Sequence, residues 1–472
     1  MSVWLERENP ARLGELVGRV PVAEAADVDE AVRAADAAQR SWALTPVAER
    51  VEVLRRAAAA FEDASLNEEA AVLLAGESGK PLGDCRGEIR FSAVFLRWVA
   101  ERAPEVLADV ETDDASGRLL LRRRPYGVVA AITPWNAPII LTMLKVGPAL
   151  ASGNTVVVKP SPLAPLAVSR LLALFPSELV KVVHGEAETG AALVGHPLVR
   201  KVAFTGGEAA GRAIGALAGQ MITPAVLELG GNDPAVFLPD AEFTDAAMDR
   251  LVMGSFQSAG QVCMAAKRLY VPAAREAEFR DAYVKAAERV VVLGDPLEET
   301  TTVGPVITAQ AAERIRGLIS VGEAVRLGRV ACDPSRGHYV RPTLLTGLDD
   351  ASPVVADEQF GPVVPLLTYS GTEEVLARAN AGELGLGASV WSADEERAFD
   401  FARRFEAGFT FVNTHGRTGM ALRAPFGGVK RSGHGREYGD EGILEYAQTC
   451  SVHAPAAFRA GGAGMAAAAY PV

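Results

Sequence analysis

Residues 201–211 read Lys-Val-Ala-Phe-Thr-Gly-Gly-Glu-Ala-Ala-Gly, an apolar run followed by a glycine turn and a segment with helical spacing. This order is typical of a buried strand that leads into the N-terminus of a helix. Backbone N–H groups and the helix dipole at such a turn favour a pyrophosphate. The glycines are spaced GxxxxG, unlike the GxGxxG dinucleotide fingerprint, so the turn alone is a weak indication of a nucleotide site.

Alternating strand and helix signals extend from this turn in both directions. Apolar runs predict buried strands at 127–133, 155–159, 180–183, 201–205 and 225–229, with helical patterning at 163–175, 186–194 and 208–218. Strands that alternate with helices indicate parallel strands joined by right-handed crossovers, so we predict a doubly wound α/β sheet. A second alternating series, from residue 233 past residue 413, predicts a second α/β domain.

The ends of the chain have other patterns. The first hundred residues have helical periodicity, and Asp27 with Glu30 three positions later resembles a capping box. Runs on both sides of 113–117 predict a β-hairpin. Residues 457–472 are rich in alanine and glycine, which is typical of a tail.

The composition narrows the class of protein. The chain has 472 residues, of which 49% are hydrophobic and 22% charged, enough for two or three folded domains. Its apolar runs are shorter than the roughly 20 residues of a membrane span, and no secretory signal is visible. Four widely separated cysteines without CxxC spacing predict no metal site, no disulfide framework and a cytoplasmic location. The net charge of −12 argues against nucleic acid as a partner.

Cys263 has a distinctive setting, Gly-Ser-Phe-Gln-Ser-Ala-Gly-Gln-Val-Cys-Met at 254–264. Small and polar neighbours, between a predicted helix and a predicted strand, would allow its exposure in a cleft. A cysteine taken alone is more often a small buried hydrophobic residue. Covalent catalysis by Cys263 would also need an oxyanion stabiliser, a base and an electron acceptor.

Other segments could supply each of these groups. Asn136 follows the predicted strand 127–133 and could donate its amide to an oxyanion, although an isolated Asn more often caps a helix. Glu228 ends an apolar run beside two glycines, where burial would raise its pKa toward that of a general base; a structural ion pair is the alternative. Lys159 ends the strand 155–159 and could hold a ribose or a phosphate.

These segments, in this order, strongly resemble the aldehyde dehydrogenase superfamily. Two further motifs match it, Asp-Glu-Gln-Phe-Gly-Pro at 357–362 and Pro-Phe-Gly-Gly-Val-Lys-Arg-Ser-Gly at 425–433. The resemblance covers nearly the whole chain, to about residue 450. It implies an α/β aldehyde dehydrogenase fold with a Rossmann-like cofactor domain, 1–106 and 126–231, and an α/β catalytic domain, 232–431. The segments 107–125 and 447–456 would form a small β element that joins subunits into a homodimer or homotetramer.

The resemblance also assigns roles to single residues. Cys263 would attack an aldehyde to give a thiohemiacetal, Asn136 would hold its oxyanion, and Glu228 would activate the water that hydrolyses the thioester. Lys145 and Glu445 would form a proton relay behind Glu228. The cofactor, NAD or NADP, would be held by Trp135, Lys159, Ser161, Gly206, Gly207, Gly211, Glu358 and Phe360.

Two positions depart from the family pattern. Members commonly read Lys-Pro-Ser-Glu where this chain has Pro162 as the fourth residue, so the carboxylate that binds the adenosine ribose is missing. The choice between NAD and NADP therefore stays open. Gly207 replaces a serine whose hydroxyl commonly contacts phosphate, which predicts altered affinity with binding retained.

The resemblance leaves the reaction and the aldehyde open at two points. In a CoA-acylating dehydrogenase, the thiol of CoA would replace water in the step that releases the acyl group, but such enzymes commonly lack the glutamate found here at 228. The other alternative is an inactive binding or structural protein on the same scaffold. The loop before residue 425 contains Arg417, Arg423 and His415, which favours a semialdehyde with a carboxylate. The predicted tunnel residues favour an aliphatic or aromatic aldehyde, since all are apolar: Leu141, Leu144 and Met264.

Overall fold

A β-hairpin and four helices form the first part of the chain in the computed structural model, which describes residues 3–456. They are β1 (Trp4–Glu8), β2 (Leu16–Pro21), α1 (Ala25–Trp42), α2 (Val47–Phe61), α3 (Ala64–Ser78) and α4 (Leu82–Val106). The helical prediction is therefore wrong for the hairpin, whose strands of five and six residues are too short to show a clear period. The capping box of α1 joins Glu24 to Asp27, so Asp27 is the third residue of the first turn and not the cap. The predicted tail, 457–472, lies outside the described residues.

The next segment builds a six-stranded sheet. Two strands that belong to another sheet, β3 (Val110–Asp114) and β4 (Gly117–Pro125), come first. The elements that build the six-stranded sheet then follow: β5 (Val128–Ile132), α5 (Pro138–Ala151), β6 (Thr155–Lys159), α6 (Leu166–Leu172), β7 (Val180–Val182), α7 (Ala187–Val194), β8 (Val199–Thr205), α8 (Glu208–Gln220) and β9 (Ala225–Glu228). Strands β5 to β9 are parallel, in the order β9-β8-β5-β6-β7. Ile132 pairs with Lys159 and with Phe204, and Thr205 pairs with Glu228. The carboxyl ends of four strands therefore meet at one edge of this sheet.

A second sheet follows. Its strands and helices are β10 (Asp233–Phe237), α9 (Asp245–Phe256), β11 (Ala266–Pro272), α10 (Glu276–Val290), β12 (Val292–Leu293), α11 (Ala309–Ile319), β13 (Glu323–Arg326), β14 (Arg329–Val330), β15 (Thr343–Thr346), α12 (Pro353–Ala356), β16 (Val363–Tyr369), α13 (Thr372–Asn380), β17 (Leu384–Gly385), β18 (Gly387–Trp391), α14 (Glu395–Ala402) and β19 (Phe409–Val412). Seven strands pair in the order β13-β15-β16-β11-β10-β18-β19, with only β13 antiparallel to its neighbour.

The C-terminal segment returns to the first sheet. It contains β20 (Val429–Lys430), β21 (Gly433–His434), α15 (Gly439–Leu444) and β22 (Ala447–Pro455). Strand β21 adds to β9 in antiparallel orientation, with Gly433 opposite Glu228. Strand β22 instead pairs with β4, and β4 with β3, in a separate three-stranded antiparallel sheet.

Apolar side chains form three buried clusters, one around the seven-stranded sheet and one on each face of the six-stranded sheet. Helix α5 is buried along nearly its whole length, and it carries a lysine, Lys145, into that core. Burial of apolar area at about 25 cal/mol per Å² supplies most of the stability of such a core. No helix in the described part of the chain is long and apolar enough to cross a membrane.

Candidate active site

Cys263 lies on the loop between α9 and β11, where the backbone is strained. Ser258 and Ala259 adopt left-handed conformations, with φ of 52° and 56°, and Gly260 follows with φ of 68°. A Cβ at position 260 would lie 2.3 Å from the carbonyl oxygen of Gly361, so only glycine fits this turn. The loop turns sharply and leaves Cys263 partly exposed at the wall of a cavity of about 260 Å³.

Asn136 lies beside this loop, at the carboxyl end of β5. Its side chain is buried, and its Nδ2 donates to the carbonyl oxygen of Gln261 at 3.0 Å. Asn136 and Cys263 line the same cavity. An amide donor and a thiol therefore reach one space, as oxyanion stabilisation requires.

Glu228 ends β9 and is almost completely buried. Neither carboxyl oxygen has a hydrogen-bond partner within the described residues, and a Cβ on Gly427 would lie 2.8 Å from Oε1. Burial raises the pKa of Glu228 well above its usual value; the Glu437 carboxylate raises it further and the Lys145 ammonium opposes the rise. A buried carboxyl without partners, close to the thiol, can exchange a proton during a reaction.

The structure pairs Lys145 with Glu437 and not with Glu445, which corrects the predicted relay. Lys145 Nζ is fully buried and donates to Glu437 Oε1 at 2.6 Å and to Thr205 Oγ1 at 2.7 Å. Glu445 Oε2 is bound instead by Lys201 Nζ at 2.9 Å. The side chain of Glu445 projects from the end of α15 toward β8, while Glu437, just before that helix, reaches the core. Both members of the Lys145–Glu437 pair affect the pKa of Glu228, as described above.

The cleft at the sheet edge has features that fit a dinucleotide. Gly207 is the N-cap of helix α8, and a Cβ there would meet no atom within 4 Å. A helix N-terminus that borders open space favours an anion. Gly211 packs against Leu229 and has no room for a side chain. Lys159 is buried, and its Nζ donates to the carbonyl oxygen of Gly185 at 2.7 Å. Burial lowers the pKa of Lys159, and Glu186 opposes this effect.

Two further residues predicted to bind the cofactor, Ser161 and Gly206, make local hydrogen bonds. Ser161 Oγ accepts from the N–H of Leu163 at 3.2 Å, in a turn that follows Lys159. Gly206 donates its N–H to the carbonyl oxygen of Glu228 at 3.0 Å, which joins the glycine turn to the end of β9.

Glu358 faces the cleft from the seven-stranded side. Its Oε1 accepts from Lys267 Nζ at 2.8 Å and from the N–H of Gly231 at 3.3 Å. The rings of Trp135 and Phe360 meet edge to face, with centroids 5.6 Å apart. Lys159 thus ends a strand of the six-stranded sheet, whereas Glu358 lies between α12 and β16 on the side of the seven-stranded sheet.

Lys267 is a site residue that the sequence analysis missed. It is buried on β11, and its Nζ also donates to the carbonyl oxygens of Gly231, at 2.6 Å, and Cys263. Burial raises the pKa of the Cys263 thiol to about 12, and Lys267 acts in the opposite direction. A charged residue in the apolar run 265–271 was the signal that could have indicated its role.

Apolar side chains form most of the cavity wall around Cys263. They include Phe91, Ile140, Leu141, Leu144, Met264, Met420 and Phe426, and Arg417 lines the wall as well. His415 is instead buried and bonded through Nδ1 to Ser389 Oγ at 2.7 Å, and burial lowers its pKa to about 3. Arg423 is exposed and is not part of the wall. Of the three polar residues predicted for the entrance, the structure therefore brings one to the cavity.

Comparisons with known proteins agree on one family. Residues 2–452 match the family model described as "Aldehyde dehydrogenase family". "Geranial dehydrogenase" of Castellaniella defragrans is 39% identical and covers 93% of each chain. A protein of Sinorhizobium fredii, named as a probable NADP(+) succinate-semialdehyde dehydrogenase, is 34% identical over 93% of this chain and 90% of its own. The crystal structure of an NAD-dependent aldehyde dehydrogenase from Sinorhizobium meliloti superposes with a TM-score of 0.90 at 34% identity, covering 96% and 92% of the two chains.

Proposed function

The chain belongs to the aldehyde dehydrogenase family of NAD(P)-dependent enzymes, and we propose that it oxidises its aldehyde to the free carboxylic acid through a thioester on Cys263. One observation carries this proposal: Cys263 and Asn136 line one cavity, and the buried Glu228 carboxyl lies close enough to raise the pKa of the thiol. The proposed nucleophile and oxyanion donor thus face one space, and the proposed base lies near enough to act on the thiol electrostatically.

In the first step, the Cys263 thiol loses its proton to water in the cavity, the thiolate sulfur bonds to the aldehyde carbon, and the carbonyl π electrons move to oxygen. The Asn136 side-chain amide and a nearby backbone N–H stabilise the resulting oxyanion. The thiohemiacetal carbon then loses its hydrogen with both electrons as the oxyanion re-forms the carbonyl group. A bound nicotinamide cofactor would supply the acceptor for that hydride. Cys263 is left as a thioester.

In the second step, Glu228 takes a proton from water while the water oxygen attacks the thioester carbon. Collapse of the tetrahedral adduct breaks the C–S bond, releases the acid and returns the sulfur as a thiolate. Lys145 and Glu437, which form an ion pair and both act electrostatically on Glu228, carry protons away from it. In this assignment, Glu437 replaces Glu445 in the relay.

For the cofactor, we propose that Lys159 and the turn after it hold the adenosine ribose and that the α8 N-terminus holds the pyrophosphate. Glu358 would accept from the nicotinamide ribose, and the rings of Trp135 and Phe360 would border the nicotinamide. Pro162 supplies no carboxylate to bind the ribose hydroxyls or repel a 2′-phosphate. We therefore propose that the enzyme uses both NAD and NADP.

We propose self-association through the three-stranded sheet. Strand β22 forms one edge of that sheet, and most of its side chains are exposed. An unpaired, exposed strand edge is a template for pairing with another chain. This sheet, 107–125 with 447–456, is the proposed oligomerisation element; 1–106 with 126–231 and 232–431 are the proposed cofactor and catalytic domains. The described cysteines are all unpaired, which fits the expected cytoplasmic location.

The mechanism is tested by separating its two half-reactions. In Glu228→Gln we expect a rapid burst of NADH of about one equivalent per active subunit, followed by steady turnover slowed at least a hundredfold, because the thioester forms but is not hydrolysed. Cys263→Ala should show neither phase, since the sulfur is absent. Rapid-mixing absorbance and product analysis distinguish the free acid from an acyl-CoA. Full turnover by Cys263→Ala, or acyl-CoA with no free acid in the presence of CoA, would contradict the proposal.

A further inference from the structure

A charged pair lies in the mainly apolar wall of the cavity that contains Cys263. Asp84 belongs to α4, and Arg417 begins a short 3₁₀ turn at 417–419. Asp84 Oδ2 and Arg417 Nη2 are 3.6 Å apart, and both residues line the cavity. Their side chains are 17% and 21% exposed, so the pair is largely shielded from bulk water. Shielding strengthens the attraction between the two charges.

Two residues of the nucleophile loop, the segment 257–265 that contains Cys263, bridge the pair. Gln257 Nε2 donates to Asp84 Oδ1 at 2.7 Å, and Gln257 Oε1 accepts from Arg417 Nε at 3.1 Å. Ser258 Oγ accepts from Arg417 Nη2 at 3.1 Å and contacts Asp84 Oδ2 at 3.4 Å. Both carboxylate oxygens and two guanidinium nitrogens are therefore already engaged. The pair has a fixed orientation on the loop that leads to Cys263.

Within the described residues, Arg417 is the only basic residue in the cavity wall, whereas the wall contains three carboxylates. The other two carboxylates, Glu88 and Glu437, are paired with Lys80 and Lys145. Arg417 is thus the only cation available to an anionic substrate, and its charge is balanced by Asp84. A carboxylate entering here would lose hydration and meet a negative charge beside the positive one.

We propose that Asp84 is a specificity-determining residue: by neutralising Arg417, it adapts the cavity to neutral, apolar aldehydes and against aldehydes that carry a carboxylate. This inference rests on the proposed aldehyde oxidation. Geranial is neutral and apolar, and succinate semialdehyde is anionic, so the two relatives compared above differ in the property that Asp84 would control.

The test compares two aldehydes of nearly equal shape that differ in charge, 4-methylpentanal and succinic semialdehyde. For the unmodified enzyme, we expect kcat/KM to be at least about tenfold higher with 4-methylpentanal. Asp84→Asn keeps the size of the side chain and an acceptor for Gln257 but removes the charge. It should raise kcat/KM for succinic semialdehyde by about tenfold while changing the value for 4-methylpentanal less than about threefold.

A second substitution shows whether the gain depends on Arg417. In Asp84→Asn/Arg417→Met, the gain for succinic semialdehyde should disappear, because no cation remains in the wall. Titration of each aldehyde into Cys263→Ala and Cys263→Ala/Asp84→Asn measures the same charge preference as a ratio of Kd values, without any reaction.

The two readouts separate the proposed function from the specificity. If no aldehyde is oxidised but the Kd ratio changes on Asp84→Asn as expected, the oxidation is refuted and the role of Asp84 stands. If the unmodified enzyme prefers succinic semialdehyde, or if Asp84→Asn leaves both ratios unchanged, the role of Asp84 is refuted.

Discussion

Lys267 has three partners that belong to different parts of the site. Its ammonium group bonds to the Cys263 carbonyl, to the Gly231 carbonyl and to the Glu358 carboxylate. It therefore joins the nucleophile loop, the end of the first sheet and the residue proposed to bind the nicotinamide ribose. It is also the main charge that opposes the rise in the Cys263 pKa. We regard Lys267 as a positioning residue, since its contacts are to the protein.

Lys267→Met should raise the pKa of Cys263 and weaken cofactor binding. The positive charge that favours the thiolate is lost, and Glu358 loses its partner. We expect the rate of Cys263 alkylation by iodoacetamide at pH 8 to fall about tenfold, with the pH profile moved upward by about one unit. The KM for NAD should rise.

Lys201→Met serves as the matched control, because Lys201 is equally buried but bonds to Glu445. An alkylation profile of Lys267→Met identical to that of the unmodified enzyme would show that Lys267 has no influence on the thiol.

Pro162 is a second residue at which we expect one substitution to change a property of the enzyme, here the choice between NAD and NADP. Pro162→Glu should restore a carboxylate near the adenosine ribose, where it can accept from the two hydroxyls and repel a 2′-phosphate. The ratio of kcat/KM for NAD to that for NADP should increase about tenfold, as measured by initial rates with both cofactors. Pro162→Gln, which adds a polar group without charge, should change this ratio much less. Strict use of NAD by the unmodified enzyme would refute the proposed relaxed choice.

Helices and strands with a clear hydrophobic period could be predicted from the sequence, whereas a fully apolar helix and a hairpin of short strands could not. The alternating strands and helices of both sheets follow from apolar runs bounded by turn residues, and the mixed α/β fold is confirmed. Helix α5 was not predicted, because it is apolar on all sides and has no amphipathic pattern. The β1–β2 hairpin was missed because each strand has only five or six residues.

The site could be predicted only where local context marks a residue. Asn136 follows one strand signal, Glu228 ends another and Cys263 precedes a third, so the sequence marks each of them as a candidate. The partner of Lys145 depends on how the segment after β21 folds back into the core. Glu437 and Glu445 lie eight positions apart near α15, and only the three-dimensional path of the chain distinguishes them. Lys267 and the Asp84–Arg417 pair are likewise contacts between distant segments.

Strand β22 is the element on which we expect association to depend. Val452 lies within it, is 59% exposed and faces away from the cores described above. Val452→Pro should disrupt the edge of the three-stranded sheet and shift the protein toward the monomer, as measured by sedimentation velocity. Phe399→Ser, which alters an exposed apolar residue on α14, is the control. An unchanged sedimentation coefficient for Val452→Pro would exclude this edge from the interface.

At the scale of the whole molecule, we expect Asp233, which lies between the two sheets in the sequence, to make the stability of the folded protein depend on pH. It begins β10, five residues after the end of β9, and it is almost fully buried. Burial raises its pKa to about 7, with Lys267 opposing the rise. The folded state therefore holds this proton up to about neutral pH, whereas the unfolded chain releases it near its ordinary value of about 4. The stabilisation is complete below pH 4 and is lost as the pH rises through 7, by up to roughly 4 kcal/mol.

Asp233→Asn removes this titration. Its melting temperature relative to that of the unmodified protein should therefore increase between pH 5 and pH 8, because only the unmodified protein loses stability there. Calorimetry at the two pH values measures the difference, and other titrating groups cancel because both proteins contain them. A difference that is the same at pH 5 and pH 8 would mean that Asp233 does not titrate in this range.

The return of the C-terminal segment to the first sheet has a consequence for how the protein is made. Strand β21 pairs with Glu228 on β9, and Glu437 supplies the partner of Lys145, although both arrive after the entire second sheet. A nascent chain on the ribosome can form the strands β5 to β9 early, since domains fold in the order of synthesis. It cannot enclose Glu228 until residues 433–437 have left the exit tunnel. Partly synthesised chains can thus fold the parallel strands of the first sheet, whereas the surroundings of Glu228 are completed only after the C-terminal segment has been made.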